Sequence, residues 1–167
     1  SIASAMLPLT RFSDIPWPSS DESSVPMRGR VARKTVAVHD QPDIQSATLL
    51  KIDRDTLLSL QEEIDSPFGP QENSRWYRLA EGYVHSAYIQ RVDAAHQNQP
   101  LPRILEGGQL GEISVPYTQS HFKNRDGYYV KLYRLYYGSV HWITGMVAGP
   151  DGEPWYVLSD ERLRVKY

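Results

Sequence analysis

The chain has 167 residues, a formal net charge of -2 and 40% hydrophobic residues, which is enough for one ordinary domain or two small ones. No basic excess supports non-specific nucleic-acid binding, so we expect no nucleic-acid partner. No apolar run approaches the roughly 18 residues that a membrane-spanning helix needs. Cysteine is absent, which excludes disulfides, thiolate metal sites and a cysteine nucleophile within this sequence.

Residues 1–27 predict an irregular leader. They include four of the twelve prolines and a serine-rich acidic run at 18–24, and they show no periodic apolar pattern. The first residues lack the charged region and apolar core of a signal peptide, which leaves open whether one has been removed.

Residues 28–95 predict a first module made of strands. Short runs of β-branched and aromatic residues, such as Trp76–Leu79 and Tyr83–His85, alternate with turn residues, a pattern typical of strands. The run at 55–64 is ambiguous, because Asp55 is a good helix cap and the leucines after it have helical spacing. We favour strand there, because this module has a second copy.

Residues 96–107 predict a polar, proline-containing linker, and residues 108–167 predict a second β-rich module. Eight of the eleven tyrosines lie at or after Tyr117, and Gly149–Gly152 has the composition of a hairpin turn. After Trp155 only twelve residues remain, too few for every strand of the first module. The second module is therefore expected to be cut short at its C-terminal end.

Three matched segments support the internal repeat. They pair Gly29–Ala32 with Gly111–Ser114, Lys51–Arg54 with Lys131–Arg134, and Trp76–Leu79 with Trp155–Leu158, at offsets of 82, 80 and 79 residues. The repeat predicts an all-β chain of two small barrels, with no helix longer than about two turns. It also predicts that Trp76 and Trp155 are equivalent and at least half buried, and that the tyrosine after each faces the other way.

The first module resembles a bacterial SH3-like domain. The resemblance rests on Trp76–Leu79, Gly82–His85 and Tyr88–Ile89, which match an aromatic pair, a turn, a Gly-Tyr-Val strand and a short helical turn. The resemblance implies that both modules are small SH3-like barrels in tandem.

The second module resembles the region before the catalytic domain of L,D-transpeptidase-type cell-wall proteins from Chloroflexi-like bacteria. The matching segments are Leu110–Tyr117, Tyr133–Trp142 and Trp155–Leu158. The Ser-His-Gly-Cys motif of that catalytic domain does not occur here. The resemblance therefore implies a non-catalytic accessory region of an exported, cell-wall-associated protein, with peptidoglycan or its stem peptide and a downstream catalytic domain as partners.

A set of aromatic residues and one histidine predicts a groove for a peptide or glycan, because flat rings stack on sugar faces and carry hydrogen-bonding groups. The candidates are Tyr77, Tyr83, His85, Tyr88, Trp142 and Tyr156. The alternative is that these rings fill the small cores and cross-strand pairs, which leaves a structural spacer without a groove.

The remaining polar residues predict no catalytic, metal or cofactor site. No His-Glu-x-x-His motif or nucleophile motif occurs, which argues against a serine hydrolase. We interpret Asp53 and Asp55 as solvated charges. The basic stretch of Lys123, Arg125, Lys131 and Arg134 is interpreted as solvated strand faces.

Overall fold

The structure is a computed structural model that describes residues 27–69, 72–92, 99–159 and 164–166. These residues form fourteen antiparallel strands and a single 3₁₀ helix at Ser86–Tyr88, which confirms the all-β prediction. The predicted leader at 1–27 lies outside the described residues except for Met27, with which the first strand begins. No helix in the described part of the chain is long and apolar enough to span a membrane.

The N-terminal half, residues 27–92, contains two sheets with strand orders β4-β1-β8 and β3-β2-β7-β6-β5. Its strands are β1 (Met27–Val31), β2 (Thr35–His39), β3 (Thr48–Asp53), β4 (Leu57–Leu60), β5 (Glu62–Asp65), β6 (Arg75–Arg78), β7 (Tyr83–His85) and β8 (Ile89–Val92). The ambiguous run at 55–64 is thus strand, as the repeat predicted.

The C-terminal half, residues 99–166, contains one sheet with strand order β11-β10-β14-β13-β12-β9. Its strands are β9 (Gln109–Glu112), β10 (Tyr117–Lys123), β11 (Tyr129–Tyr136), β12 (Val140–Ala148), β13 (Pro154–Leu158) and β14 (Arg164–Lys166). Among the described residues, no strand of one half pairs with a strand of the other.

The two halves share one pairing plan. The single strand β12 corresponds to the two strands β4 and β5. Its first part pairs with β9, as β4 pairs with β1. Its second part pairs with β13, as β5 pairs with β6. A register shift between Ile143 and Gly145 stands where Gln61 separates β4 from β5. In the same way β10, β11 and β14 pair as β2, β3 and β7 do.

A tight turn is also repeated, between β3 and β4 and again between β11 and β12. Four backbone hydrogen bonds of 2.9–3.2 Å recur with every partner 82 or 83 residues further on. The N-terminal set joins Val31 N to Thr56 O, Asp55 N to Val31 O, Arg54 N to Lys34 O and Thr56 N to Asp53 O. The C-terminal set joins Ile113 N to Ser139 O, Gly138 N to Ile113 O, Tyr137 N to Pro116 O and Ser139 N to Tyr136 O.

These turns correct one of the three matches on which the repeat was based. They align Arg54 with Tyr137, whereas the sequence match aligned Arg54 with Arg134 and is therefore three residues out of register. The match between Trp76 and Trp155 is consistent with the pairing plan, because each lies on the strand between equivalent neighbours. Both are buried, with 0% and 5% of their surface exposed, as predicted.

The cores differ in size. The N-terminal core contains eight buried residues: Val31, Val36, Val38, Leu60, Tyr77, Leu79, Val84 and Ile89. Among the described residues, the C-terminal core contains three, Leu135, Ile143 and Leu158, against which four half-buried residues pack. Two of these, Leu101 and Ile104, come from the predicted linker, so the described part of that segment belongs to the C-terminal half.

The interpretation of the acidic pair as solvated charge is wrong for Asp55. Asp55 is not on a strand but in the β3–β4 turn, and its side chain is only 4% exposed. Its carboxylate bonds to Arg30 at 2.6 Å and also to Arg134. Arg134 is therefore not simply a solvated strand residue, since the ion pair holds its guanidinium against the other half.

Candidate functional site

A cleft of about 440 Å³ opens at one end of the C-terminal sheet. It lies between β10, β11 and the loops 124–128 and 149–153. Its lining residues are His121, Gly127, Tyr128, Tyr129, Lys131 and Pro150. We call this site the β10–β11 cleft.

The loop between β10 and β11 is built to present an aromatic ring. Asn124 makes two hydrogen bonds to the backbone of Tyr128. Its N–H donates to Tyr128 O at 2.9 Å, and its side-chain oxygen accepts from Tyr128 N at 2.8 Å. Gly127 takes a positive φ of 90°, a conformation that side chains other than glycine rarely adopt. The closed turn leaves Tyr128 72% exposed at the mouth of the cleft.

A buried indole supports the cleft from within. The Trp155 ring packs against His121 and Tyr129 with centroid distances of 4.8 and 5.5 Å. Its Nε1 donates to the Asp151 carboxylate at 3.0 Å, which ties the indole to the second loop of the cleft. Gly149 approaches the indole so closely that a Cβ there would collide with it. Packing on Trp155 therefore positions the rings of His121 and Tyr129.

His121 brings a hydrogen-bonding group into this apolar setting. Its Nδ1 is buried and has no hydrogen-bond partner among the described residues. Burial lowers the pKa of His121, a backbone hydrogen bond with Gln119 opposes this, and the charge of Lys131 lowers the pKa further. Burial and the nearby lysine thus favour the neutral form of the imidazole.

The positive charge of the cleft comes from lysine. Lys131 lines it, and the ammonium of Lys123 lies 5.6 Å from the centroid of the Tyr129 ring, within the range of a cation–π contact. Flat rings beside ammonium groups suit a ligand that carries both an apolar face and a carboxylate. The arrangement can bind and orient such a ligand.

The predicted candidates of the N-terminal half lie elsewhere, and two of them meet. His85 is buried, with its Nε2 2.9 Å from the Asn73 carbonyl oxygen, and its ring packs on Trp76 at 5.0 Å and on Tyr88 at 5.5 Å. Tyr88 is half buried, and the Arg33 guanidinium lies 4.8 Å above its ring. Tyr83 is half buried on β7 and pairs with His39.

Tyr77 is a core residue. It faces away from Trp76, as predicted, but it is also buried, and it packs with Val36, Val38 and their neighbours. Burial raises the pKa of the Tyr77 phenol, the charge of Glu63 raises it further, and Arg91 and Arg75 oppose the change. Because Tyr77 lies in the core, its side chain is not placed to contact a ligand.

The two predicted candidates of the C-terminal half point to different places. Trp142 is 42% exposed on β12, and its Nε1 donates to Gly107 O at 3.2 Å. Tyr156 is half buried and its hydroxyl accepts from Leu101 N at 2.6 Å. Neither lines the β10–β11 cleft.

Sequence reasoning missed His121, Tyr129 and Lys131, although a signal for the first was present. His39 and His121 are 82 residues apart, the same offset as Gly29 and Gly111. Each packs on the repeated tryptophan of its own half, with centroids 5.7 and 4.8 Å apart. A histidine that recurs with the repeat could have been recognised as part of the shared architecture.

Comparison with known proteins identifies no family for this sequence. The sequence matches no protein-family profile and no curated protein. Within the described residues, no three His, Asp or Glu side chains come together as a metal site would require.

Proposed function

We propose that the chain is a non-catalytic accessory region of an exported cell-wall protein, made of two SH3-like modules. It binds peptidoglycan through the β10–β11 cleft and positions a downstream L,D-transpeptidase-type domain. The stem peptide and the glycan of peptidoglycan together offer carboxylates and sugar faces, the two features for which the cleft has partners.

The observation that carries this proposal is the exposed Tyr128 and the half-buried Tyr129 beside Lys131 in one preformed cleft. Preformed clefts with a few convergent polar groups are the usual form of small-ligand sites. Trp155 positions the Tyr129 ring, so that ring loses little conformational freedom on binding.

A structural spacer is the second candidate, and a specific observation favours it. Trp76, Tyr77 and His85 are all buried, so the aromatic residues that drew attention in the N-terminal half serve packing. A spacer needs no ligand, and retention on the wall separates the two functions.

The decisive experiment measures retention of the purified chain on sedimented peptidoglycan. We expect the wild type to be retained and Tyr128→Ala to bind between about twofold and tenfold more weakly, since an aromatic contact contributes about 0.5–1.5 kcal/mol beyond its area. Phe68→Ala is the matched control, because Phe68 is 62% exposed but lies in the other half, and it should bind like the wild type.

Each outcome decides something. A wild type that stays in solution supports the spacer, and equal retention of Tyr128→Ala and wild type removes the cleft from the proposal. Release of soluble muropeptides by the chain alone contradicts the non-catalytic assignment.

A further inference from the structure

The repeated turn differs between the halves at one residue. Asp55 and Gly138 occupy the same position, with φ of 68° and 76°. Glycine adopts this left-handed conformation freely, whereas a residue with a Cβ is strained there. The same turn is made with Gly138, so the backbone alone does not require the aspartate, and its side chain must compensate the strain.

The Asp55 carboxylate lies between two guanidinium groups from different halves. Arg30 of β1 donates to Oδ1 at 2.6 Å, and Arg134 of β11 donates to Oδ2. The side chains of Asp55 and Arg30 are 4% and 7% exposed, while that of Arg134 is 43% exposed. The hydrogen bond to Asp55 raises the pKa of Arg134, against a smaller opposing effect of burial.

Two further contacts join the halves at the same place. The guanidinium carbon of Arg30 lies 4.1 Å from the centroid of the Tyr136 ring. Gln90 of β8 accepts from Arg30 through its side-chain oxygen, at 2.6 Å from Nη2, and donates from its side-chain nitrogen to Tyr137 O at 2.9 Å. The buried Arg30 is thus held on one side by its own half and on the other by the C-terminal half.

We propose that Asp55, Arg30 and Arg134 form an ionic joint that holds the two halves as one rigid body. No strand pairing joins the halves among the described residues, so these side-chain contacts carry the connection that hydrogen-bonded strands supply elsewhere. A buried acid with two guanidinium partners is directional, because each fork donates to a different oxygen. This inference does not depend on what the cleft binds.

Arg134 is the residue to change first. It is the member of the joint that contributes from the C-terminal half, and its exposure lets the backbone of β11 remain paired with β10 without it. Removing Arg134 leaves Asp55 with Arg30, so the N-terminal half keeps its own ion pair. Asp55→Asn is the complementary change, since asparagine tolerates the left-handed conformation but removes the charge.

The test is the tumbling of each half in the full chain, from ¹⁵N relaxation, together with the maximum dimension from small-angle X-ray scattering. In the wild type both halves should give one common rotational correlation time. In Arg134→Ala we expect shorter, unequal correlation times and a larger maximum dimension, with amide shifts within each half unchanged away from the joint. Arg134→Lys keeps the charge without the fork and should fall between the two.

Arg125→Ala is the control. Arg125 lies in the β10–β11 loop, and its replacement by alanine removes the same charge as Arg134→Ala. It should tumble like the wild type. Common tumbling retained in Arg134→Ala overturns the proposal, and so does independent tumbling of the halves in the wild type. If Asp55→Asn unfolds, Arg134→Ala still decides the question.

Discussion

The N-terminal and C-terminal halves follow one pairing plan but use it differently. In the N-terminal half the β2–β3 loop spans residues 40–47, and Ile44 N–H in that loop donates to Phe68 O in the β5–β6 loop at 3.4 Å. In the C-terminal half the corresponding loops are shorter, at 124–128 and 149–153, and line the β10–β11 cleft. The shorter loops of the C-terminal half thus border a cleft that includes His121, while Trp76 and Trp155 are buried in both halves.

The two halves also differ in how many apolar side chains they bury. Among the described residues, ten buried apolar side chains lie in the N-terminal half and four in the C-terminal half. Many exposed apolar side chains of the chain, including Leu110, Val130 and Tyr133, lie in the C-terminal half. Within the described residues, the N-terminal half thus has the larger buried core, and the C-terminal half exposes more apolar side chains.

The tryptophan substitutions test this division with the largest effect. Trp76→Ala should destabilise the N-terminal half by about 3–5 kcal/mol, the usual cost of emptying a fully buried aromatic site. Trp155→Ala should cost a similar amount and also weaken retention on peptidoglycan, because Trp155 supports the cleft. Urea unfolding followed by circular dichroism measures the first effect. Trp142→Ala, at an exposed position, should cost less than about 1 kcal/mol.

A leucine deletion in each core sharpens the comparison. Leu60→Ala and Leu158→Ala both empty a buried site, and such changes cost about 2–5 kcal/mol. The smaller C-terminal core has fewer fixed neighbours and can collapse further, so Leu158→Ala should lie at the low end and Leu60→Ala at the high end. Unfolding midpoints in the reverse order would show that the C-terminal core is the tighter one.

The equivalent glycines of β1 and β9 should respond differently to alanine. A Cβ on Gly29 would collide with the Ile89 side chain and approach Leu60 at 3.1 Å, whereas a Cβ on Gly111 would meet chiefly the flexible end of Ile143. Gly29→Ala should therefore cost about 1–3 kcal/mol and Gly111→Ala less than about 1 kcal/mol. Thermal unfolding of the two variants makes the comparison, and equal losses would contradict it.

The pH dependence of His121 is the smallest effect. Its pKa is lowered below the ordinary 6.5, so the unfolded chain binds a proton more readily than the folded one. The stability from this group is present above about pH 6.5 and is lost as the pH falls through the folded pKa. The loss should be smaller in His121→Gln, which lacks the titrating group. Melting temperatures between about pH 7.5 and 5 provide the measurement.

Local patterns predicted much of the fold. The strand content, the strand at 55–64 and the two buried tryptophans followed from residue types, turn residues and the repeat. The alignment of β3 with β11 was not predicted correctly. The match of Lys51 with Lys131 rests on similar residue types, whereas the hydrogen bonds of the repeated turns align the halves in another register.

The functional residues were harder to predict for a physical reason. Asp55 is buried against Arg30 and Arg134, which are 25 and 79 residues away, and no local pattern contains those contacts. The β10–β11 cleft depends on two loops that are 21 or more residues apart in sequence. Tyr77 and His85 were predicted as ligand-binding candidates because a strand residue can face either the core or the solvent. The structure buries both side chains.

The exchange of Asp55 for Gly138 also makes the contact between the halves one-directional. A third copy, docked on the C-terminal half as that half docks on the N-terminal one, would present its arginine to Gly138. Glycine has no carboxylate to receive it, so the contact that joins the first two units cannot be formed again by the second. The contact therefore gives the two halves a defined order, in which the acidic turn belongs to the first unit and the arginine that reaches it belongs to the second.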